Sequence, residues 1–322
     1  MLLIIGYLAV ALVVVALSVK ASEYIDMLDS RTRLSGAFLG GVLLSAVTSL
    51  PELITSVSAT LMLGEAGLCI GNILGSNLFN SAAFAAVGFA FVTGFARAKF
   101  ARGNRIVAGV VVAIYVAMIL NWFNILNFDL LTVNVLTIVV VALYIFGVRY
   151  LAGSDSSQKE EKTAFESENE SALSIRAIVV RFVAVAVGIV ATSIVMTYMT
   201  DALAVRYNIG KGLAGALFLG VATSLPELSA TVSLYRMKNY DVAAGNIVGS
   251  NLFNFLILCV VDVVSLRARI YDYADPKIEH LLTFGLLSAI VVLPLMRTES
   301  RAVRLLCMAV VVGCYFAFLL AE

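Results

Sequence analysis

The sequence predicts an all-α integral membrane protein of ten transmembrane helices arranged as two inverted five-helix repeats. Three observations predict it. Of 322 residues, 61% are hydrophobic and 13% charged, with a mean hydropathy of +1.00, whereas soluble domains carry about 25% charged residues. The apolar residues gather in blocks long enough to cross roughly 30 Å of hydrocarbon. Two polar motifs recur in the same order half a chain apart.

The blocks place spans at 2–19, 34–63, 66–94, 104–123, 129–150, 175–199, 208–235, 241–266, 280–296 and 302–320. The first lacks a positive leader and is longer than the roughly 7–15 apolar residues of a signal peptide, so it reads as a span. Residues 152–174 carry Asp155, Lys159, Glu160, Glu161, Lys162, Glu166, Glu168 and Glu170 among serines. With so little apolar surface they are expected to be a flexible linker, dividing a first repeat at 1–151 from a second at 175–322. Cys69, Cys259, Cys307 and Cys314 lie inside apolar blocks without metal-ligand spacing and read as buried small side chains. The single histidine, His280, falls at a span boundary and reads as interfacial.

With the N-terminus outside, 17 of the 22 Lys and Arg fall in cytoplasmic loops and five outside, which is the positive-inside bias. A multi-pass protein of the plasma or inner membrane with a cytoplasmic linker is expected. The net charge of +1 and the lack of a basic run give no sign of a nucleic-acid partner, and no protein partner is required.

The repeat is explicit. Thr48-Ser49-Leu50-Pro51-Glu52-Leu53 returns as Thr223-Ser224-Leu225-Pro226-Glu227-Leu228, and the ten residues Gly71–Asn80 return as Gly245–Asn254 with one difference, Leu74 against Val248. Each half holds five spans, so the second half enters the membrane from the opposite side. Inverted repeats with interrupted helices are a transporter architecture, with the binding site near mid-bilayer between the halves.

Glu52 and Glu227 each sit inside a long run of apolar and small residues. A carboxylate at mid-bilayer costs roughly 2.5–3.5 kcal/mol on insertion scales, and no Lys or Arg lies at matching depth. A cation between the halves would offset that cost. Calcium takes six to eight oxygens from carboxylates, carbonyls, amides and water. Pro51 and Pro226 lack the N–H of a regular helix and can free carbonyls nearby; Thr48, Ser49, Thr223 and Ser224 add hydroxyls. Asn80 and Asn254 add amide oxygens. Ser76 and Asn80, like Ser250 and Asn254, are four apart and share a helix face.

Blander readings stand beside these. Ser49-x-x-Glu52 also matches a helix capping box. Gly71, Gly75, Gly245 and Gly249 read first as packing residues. Asn72, Asn77, Asn246 and Asn251 fit equally as bonds between helices or as supports behind the site. Asp262 belongs nearer an interface or polar pocket than the centre. A channel would also use intramembrane carboxylates, but pores are commonly rings of identical subunits. An intramembrane enzyme finds no support, since neither HExxH nor GxSxG occurs.

At the two motifs the chain resembles the calcium/cation antiporter superfamily, in particular the compact prokaryotic sodium/calcium exchangers, over both halves. The resemblance implies a secondary-active antiporter that exchanges Na+ for Ca2+ by alternating access, with no resident cofactor. It implies that Glu52 and Glu227 are the central carboxylates. Thr48, Ser49, Ser76, Thr223, Ser224 and Ser250 match hydroxyl and carbonyl ligands of sodium sites, and Asn80 a polar central position. Sliding of the first and sixth helices is implied as the gating motion. Some relatives have aspartate where this chain has Asn254, which points away from potassium dependence, and usually glycine where it has Val47. The 152–174 linker is too short for the calcium-sensing domains of animal exchangers. Exchange of protons, or of another divalent cation, is the alternative, because a buried carboxyl group can take up a proton near neutral pH.

Overall fold

A computed structural model describes residues 2–32, 48–130, 132–154, 174–265, 270–271 and 275–321. Its helices are α1 (Leu2–Thr32), α2 (Leu50–Leu61), α3 (Ala66–Ala90), α4 (Arg102–Trp122), α5 (Val135–Ser154), α6 (Ile175–Tyr207), α7 (Lys211–Thr223), α8 (Leu225–Arg236), α9 (Tyr240–Val264), α10 (Pro276–Arg297) and α11 (Arg301–Leu320). By length and composition α1, α3, α4, α6, α9, α10 and α11 are each able to cross a membrane, and α7 and α8, bent by 45°, are apolar enough to do so together as one broken span or to form a re-entrant pair. The shorter apolar stretch Val135–Tyr150 of α5 falls where the fifth span is predicted. Helix α2 is the described end of the second; residues 34–47 of that span, and 155–173 of the expected linker, lie outside the described residues.

Several boundaries differ from expectation. Helices α1 and α6 run on to Thr32 and Tyr207, because a helix propagates through its backbone bonds after its apolar stretch has ended. The fifth span begins at Val135, not at 129. Residues before it form a small antiparallel hairpin, β1 (Asp129–Leu130) with β2 (Val133–Asn134), paired Asp129 to Asn134 and Leu130 to Val133. Among the described residues the fold is therefore helical apart from one hairpin. Helix α10 starts at Pro276, four residues before His280, with Asp275 capping it by accepting from the Lys277 N–H. The four cysteines are free and buried, as expected.

The hairpin fixes a polar corner. Asp262, near the end of α9, is buried and accepts from the Asn134 N–H at 3.0 Å and the Thr137 hydroxyl at 2.7 Å. It lies eight residues past Asn254, about 12 Å along the helix, so it belongs to this corner and not to the centre. Asp262→Ala leaves the Asn134 N–H without its acceptor and the Thr137 hydroxyl with only the Tyr271 hydroxyl, at 2.9 Å. It should lower stability by about 1–3 kcal/mol, visible as a lower Tm in detergent, while Asp262→Asn keeps an acceptor and most of the stability.

The largest apolar core joins α3, α4, α5 and α8–α11, around residues such as Ile73, Tyr115, Phe255, Leu282 and Val311. Among the described residues α1 and α6 contribute nothing to it. They pack along each other and meet α7 through a separate cluster: Tyr7, Ala11, Val14, Met196 and Leu203 against Leu219 and Ala222. Their outer faces, including Leu12 at 68% and Val187 at 64%, are bare apolar surface suited to lipid.

Candidate functional site

The two Pro-containing motifs break their helices in the same way. Ser49 has φ −89° and ψ 10°, Ser224 φ −92° and ψ 4°. Each residue follows a helical threonine and precedes a helix whose second position is proline. Proline cannot donate to the preceding turn, so regular bonding resumes only at Leu53 and Leu228, which donate to the Ser49 and Ser224 carbonyls at 3.0 and 3.1 Å. On the second side the irregularity extends backwards as a π turn over Gly215–Gly220. Glu52 and Glu227 thereby fall in the first turns of α2 and α8, where the helix dipole favours negative charge.

Neither serine caps its own helix through its side chain, so the capping-box reading is not borne out. Instead the Ser224 hydroxyl crosses to the other repeat and donates to Glu52 Oε1 at 3.3 Å. The Thr48 hydroxyl lies beside the Glu227 carboxylate, and the two carboxylates are within electrostatic range of each other. The structure therefore brings both acids to one place between the repeats.

All ten residues singled out from the sequence are buried, none more than 4% exposed. Among the described residues, Glu52 Oε2, both Glu227 carboxylate oxygens, Asn80 Oδ1, Asn254 Oδ1 and the hydroxyls of Ser49 and Ser250 have no hydrogen-bond partner. Buried polar atoms are nearly always paired, and seven oxygens that are not lie together in the two repeated motifs. Ser76 and Thr223 differ: their hydroxyls donate to the Gly220 and Leu219 carbonyls at 3.2 and 2.9 Å.

Four asparagines explain how the amide oxygens are presented. Asn77 Nδ2 donates to the Asn251 carbonyl and Asn251 Nδ2 to the Asn77 carbonyl, both at 3.3 Å. Asn80 Nδ2 donates to Asn251 Oδ1 at 3.1 Å and Asn254 Nδ2 to Asn77 Oδ1 at 2.9 Å. This reciprocal cross is what a two-fold relation between α3 and α9 requires. It commits the amide N–H groups of Asn80 and Asn254 and leaves their oxygens free. The sequence left Asn77 and Asn251 undecided; their identity in both repeats was the signal available.

Asn72 ties α2 to α3 by donating to the Glu52 carbonyl at 3.2 Å and to the Thr55 and Ser56 hydroxyls, both at 2.9 Å. Its counterpart Asn246 has an unpartnered Nδ2; the second repeat has Ala230 where the first has Thr55. Gly71 and Gly75 face α7 so closely that a Cβ at either would overlap backbone atoms of Gly212 or Ala216. The packing reading of these two glycines holds.

The bent helices, the inverted repeat and the oxygen-lined centre define an inverted-repeat membrane exchanger fold. The sequence profile described as sodium/calcium exchanger protein matches residues 2–152 and 177–321. The chain belongs to this family. It is 27% identical over 262 residues to the inner membrane protein YrbG of Escherichia coli K12, covering 80% of this chain and 78% of that one. Over 63 residues it is 41% identical to human sodium/potassium/calcium exchanger 4, which is 20% of this chain and 10% of the relative. Among solved structures, the H+/Ca2+ exchanger CAX matches with TM-score 0.66 at 14% identity over 99% of this chain and 88% of that one. The sodium-calcium exchanger NCX_Mj matches with TM-score 0.58 at 18% identity over 100% and 99%. At these identities the likeness is one of fold.

Proposed function

We propose that the protein is a secondary-active antiporter exchanging Na+ for Ca2+ by alternating access. The observation that carries this reading is the pair of buried glutamates from opposite repeats, with three of their four carboxylate oxygens unpartnered among the described residues. Their charge of −2 is neutralised by one calcium ion. To the same ion we assign hard oxygen ligands of the kind calcium takes: the amides of Asn80 and Asn254 and the hydroxyls of Thr48, Ser49, Ser76, Thr223, Ser224 and Ser250, of which Ser224 reaches Glu52. We assign sodium to the same carboxylates and the flanking hydroxyls.

Shared ligands make exchange obligatory. With neither ion bound, two buried negative charges stand unpaired, which is unfavourable, so the empty protein resists changing sides. Three sodium ions for one calcium would move one net charge per cycle, worth about 2.3 kcal/mol per 100 mV of membrane potential. The halves 1–151 and 175–322, joined by a cytoplasmic 152–174 linker with the N-terminus outside the plasma or inner membrane, would carry the two sides of the site. Helices α1 and α6 are the candidate moving pair, because their separation from the large apolar core lets them shift against it.

Calcium-45 uptake into sodium-loaded proteoliposomes tests the reading. Uptake should require the outward sodium gradient and persist without potassium and without a pH gradient. Uptake driven by a pH gradient in the absence of sodium would assign the coupling to protons instead.

A further inference from the structure

We propose that the cleft between the ends of α3, α8, α9 and α11, on the face that the charge bias assigns to the cytoplasm, binds a phosphate-bearing anion. The cleft holds about 850 Å³ and is lined by Arg97, Arg236, Lys238 and Arg301 against one carboxylate, Glu299. Three separate connections supply those four cations. Among the described residues the ion pairs use Lys20 and Lys211, so none of the four is neutralised within the protein.

A fifth cation underlies them. Arg304 is 3% exposed, donates to the Phe95 and Thr298 carbonyls, and sits over the rings of Phe95 and Phe100 at 5.6 and 5.5 Å. Its Nε has no partner. It lies within electrostatic range of Tyr235 and Glu299, both in the cleft wall.

The backbone carries an independent sign. Lys238 closes α8 in the left-handed region at φ +62°, its N–H donating to the Tyr235 carbonyl at 3.0 Å and the Asn239 N–H to the Leu234 carbonyl at 2.9 Å. The corresponding residue of the first repeat, on the opposite membrane face, is Gly64 at φ +72°. Glycine takes this conformation without steric cost and lysine does not. The positive-inside bias accounts for cations on this face, but not for their convergence on one cleft, nor for a lysine where the fold asks for glycine. Guanidinium forks and ammonium groups are the side chains that recognise phosphate, and basic clefts between spans at the cytoplasmic surface suit phospholipid headgroups. The phosphate could equally come from a soluble compound.

The test uses the full-length protein in neutral detergent, with Tm followed against short-chain phosphatidylglycerol, short-chain phosphatidylcholine and inorganic pyrophosphate. A saturable rise with phosphatidylglycerol alone identifies a lipid headgroup site; a rise with pyrophosphate identifies a site open to soluble phosphate. Phosphatidylcholine should give neither. In Arg236→Gln/Lys238→Gly the midpoint should weaken about 30-fold, from the loss of two surface cations. Its unliganded Tm should not fall, because glycine suits position 238. Arg97→Gln/Arg301→Gln, which leaves the α8 terminus untouched, should weaken binding similarly. No rise beyond phosphatidylcholine with either phosphate probe, or an unchanged midpoint in both double variants, overturns the proposal.

Discussion

Glu52→Gln and Glu227→Gln should each reduce sodium-driven calcium uptake to background, with a loss of calcium affinity of about 10³-fold. In an interior of effective dielectric near 20, two unit charges about 4 Å apart interact by about 4 kcal/mol, and a divalent ion gains more. Glutamine keeps the shape and one carbonyl oxygen but removes that charge. Folding should not suffer in parallel. Both carboxylates are buried, and Glu227 has no hydrogen-bond partner on either oxygen, so neutralising one removes an uncompensated buried charge. The variants should unfold in calcium-free detergent at a Tm equal to or above that of the wild type. Uptake near wild-type rates in either variant would remove the glutamates from the site.

Gly71→Ala and Gly75→Ala should be strongly damaging to the fold for such small substitutions. Overpacking by one methyl group typically costs about 1–3 kcal/mol. Here the added carbon meets backbone atoms of Gly212 and Ala216, which cannot rotate away as a side-chain tip could. Helix α7 would have to lift off α3, carrying Thr223 and the break at Ser224 with it. Tm should therefore drop sharply and uptake fall with it. Gly109→Ala is the control: a Cβ there has nothing within 4 Å, and alanine favours the helix by about 0.8–1.0 kcal/mol, so Tm should hold or rise.

What the sequence could disclose was set by how local each cause is. Spans were legible because membrane crossing demands an unbroken apolar run, which shows in the residues themselves. Their ends were not: α1 and α6 continue through polar residues such as Glu23 and Asp201, since hydrogen bonds within the helix do not depend on lipid. The hairpin before α5 was hidden because Leu130 and Val133 look like span residues, and the turn is held by strand pairing and by long-range bonds of Asn134 to Asp262 and Asn121. At the site, the glutamates and prolines stood out as costly residues repeated at equivalent positions. The helix break at Ser224 followed from Pro226. The π turn before it, and the reciprocal cross of Asn77, Asn80, Asn251 and Asn254, arise only when the two repeats meet, so no single stretch of sequence encodes them.

The most direct measurement is equilibrium binding of calcium-45 to the purified protein, with sodium as competitor. The wild type should bind one calcium ion per chain and release it as sodium rises, and either single glutamine variant should lose that binding. Sodium-insensitive calcium binding, or undiminished binding when Glu52 or Glu227 is replaced, would contradict a cation held jointly by the two repeats.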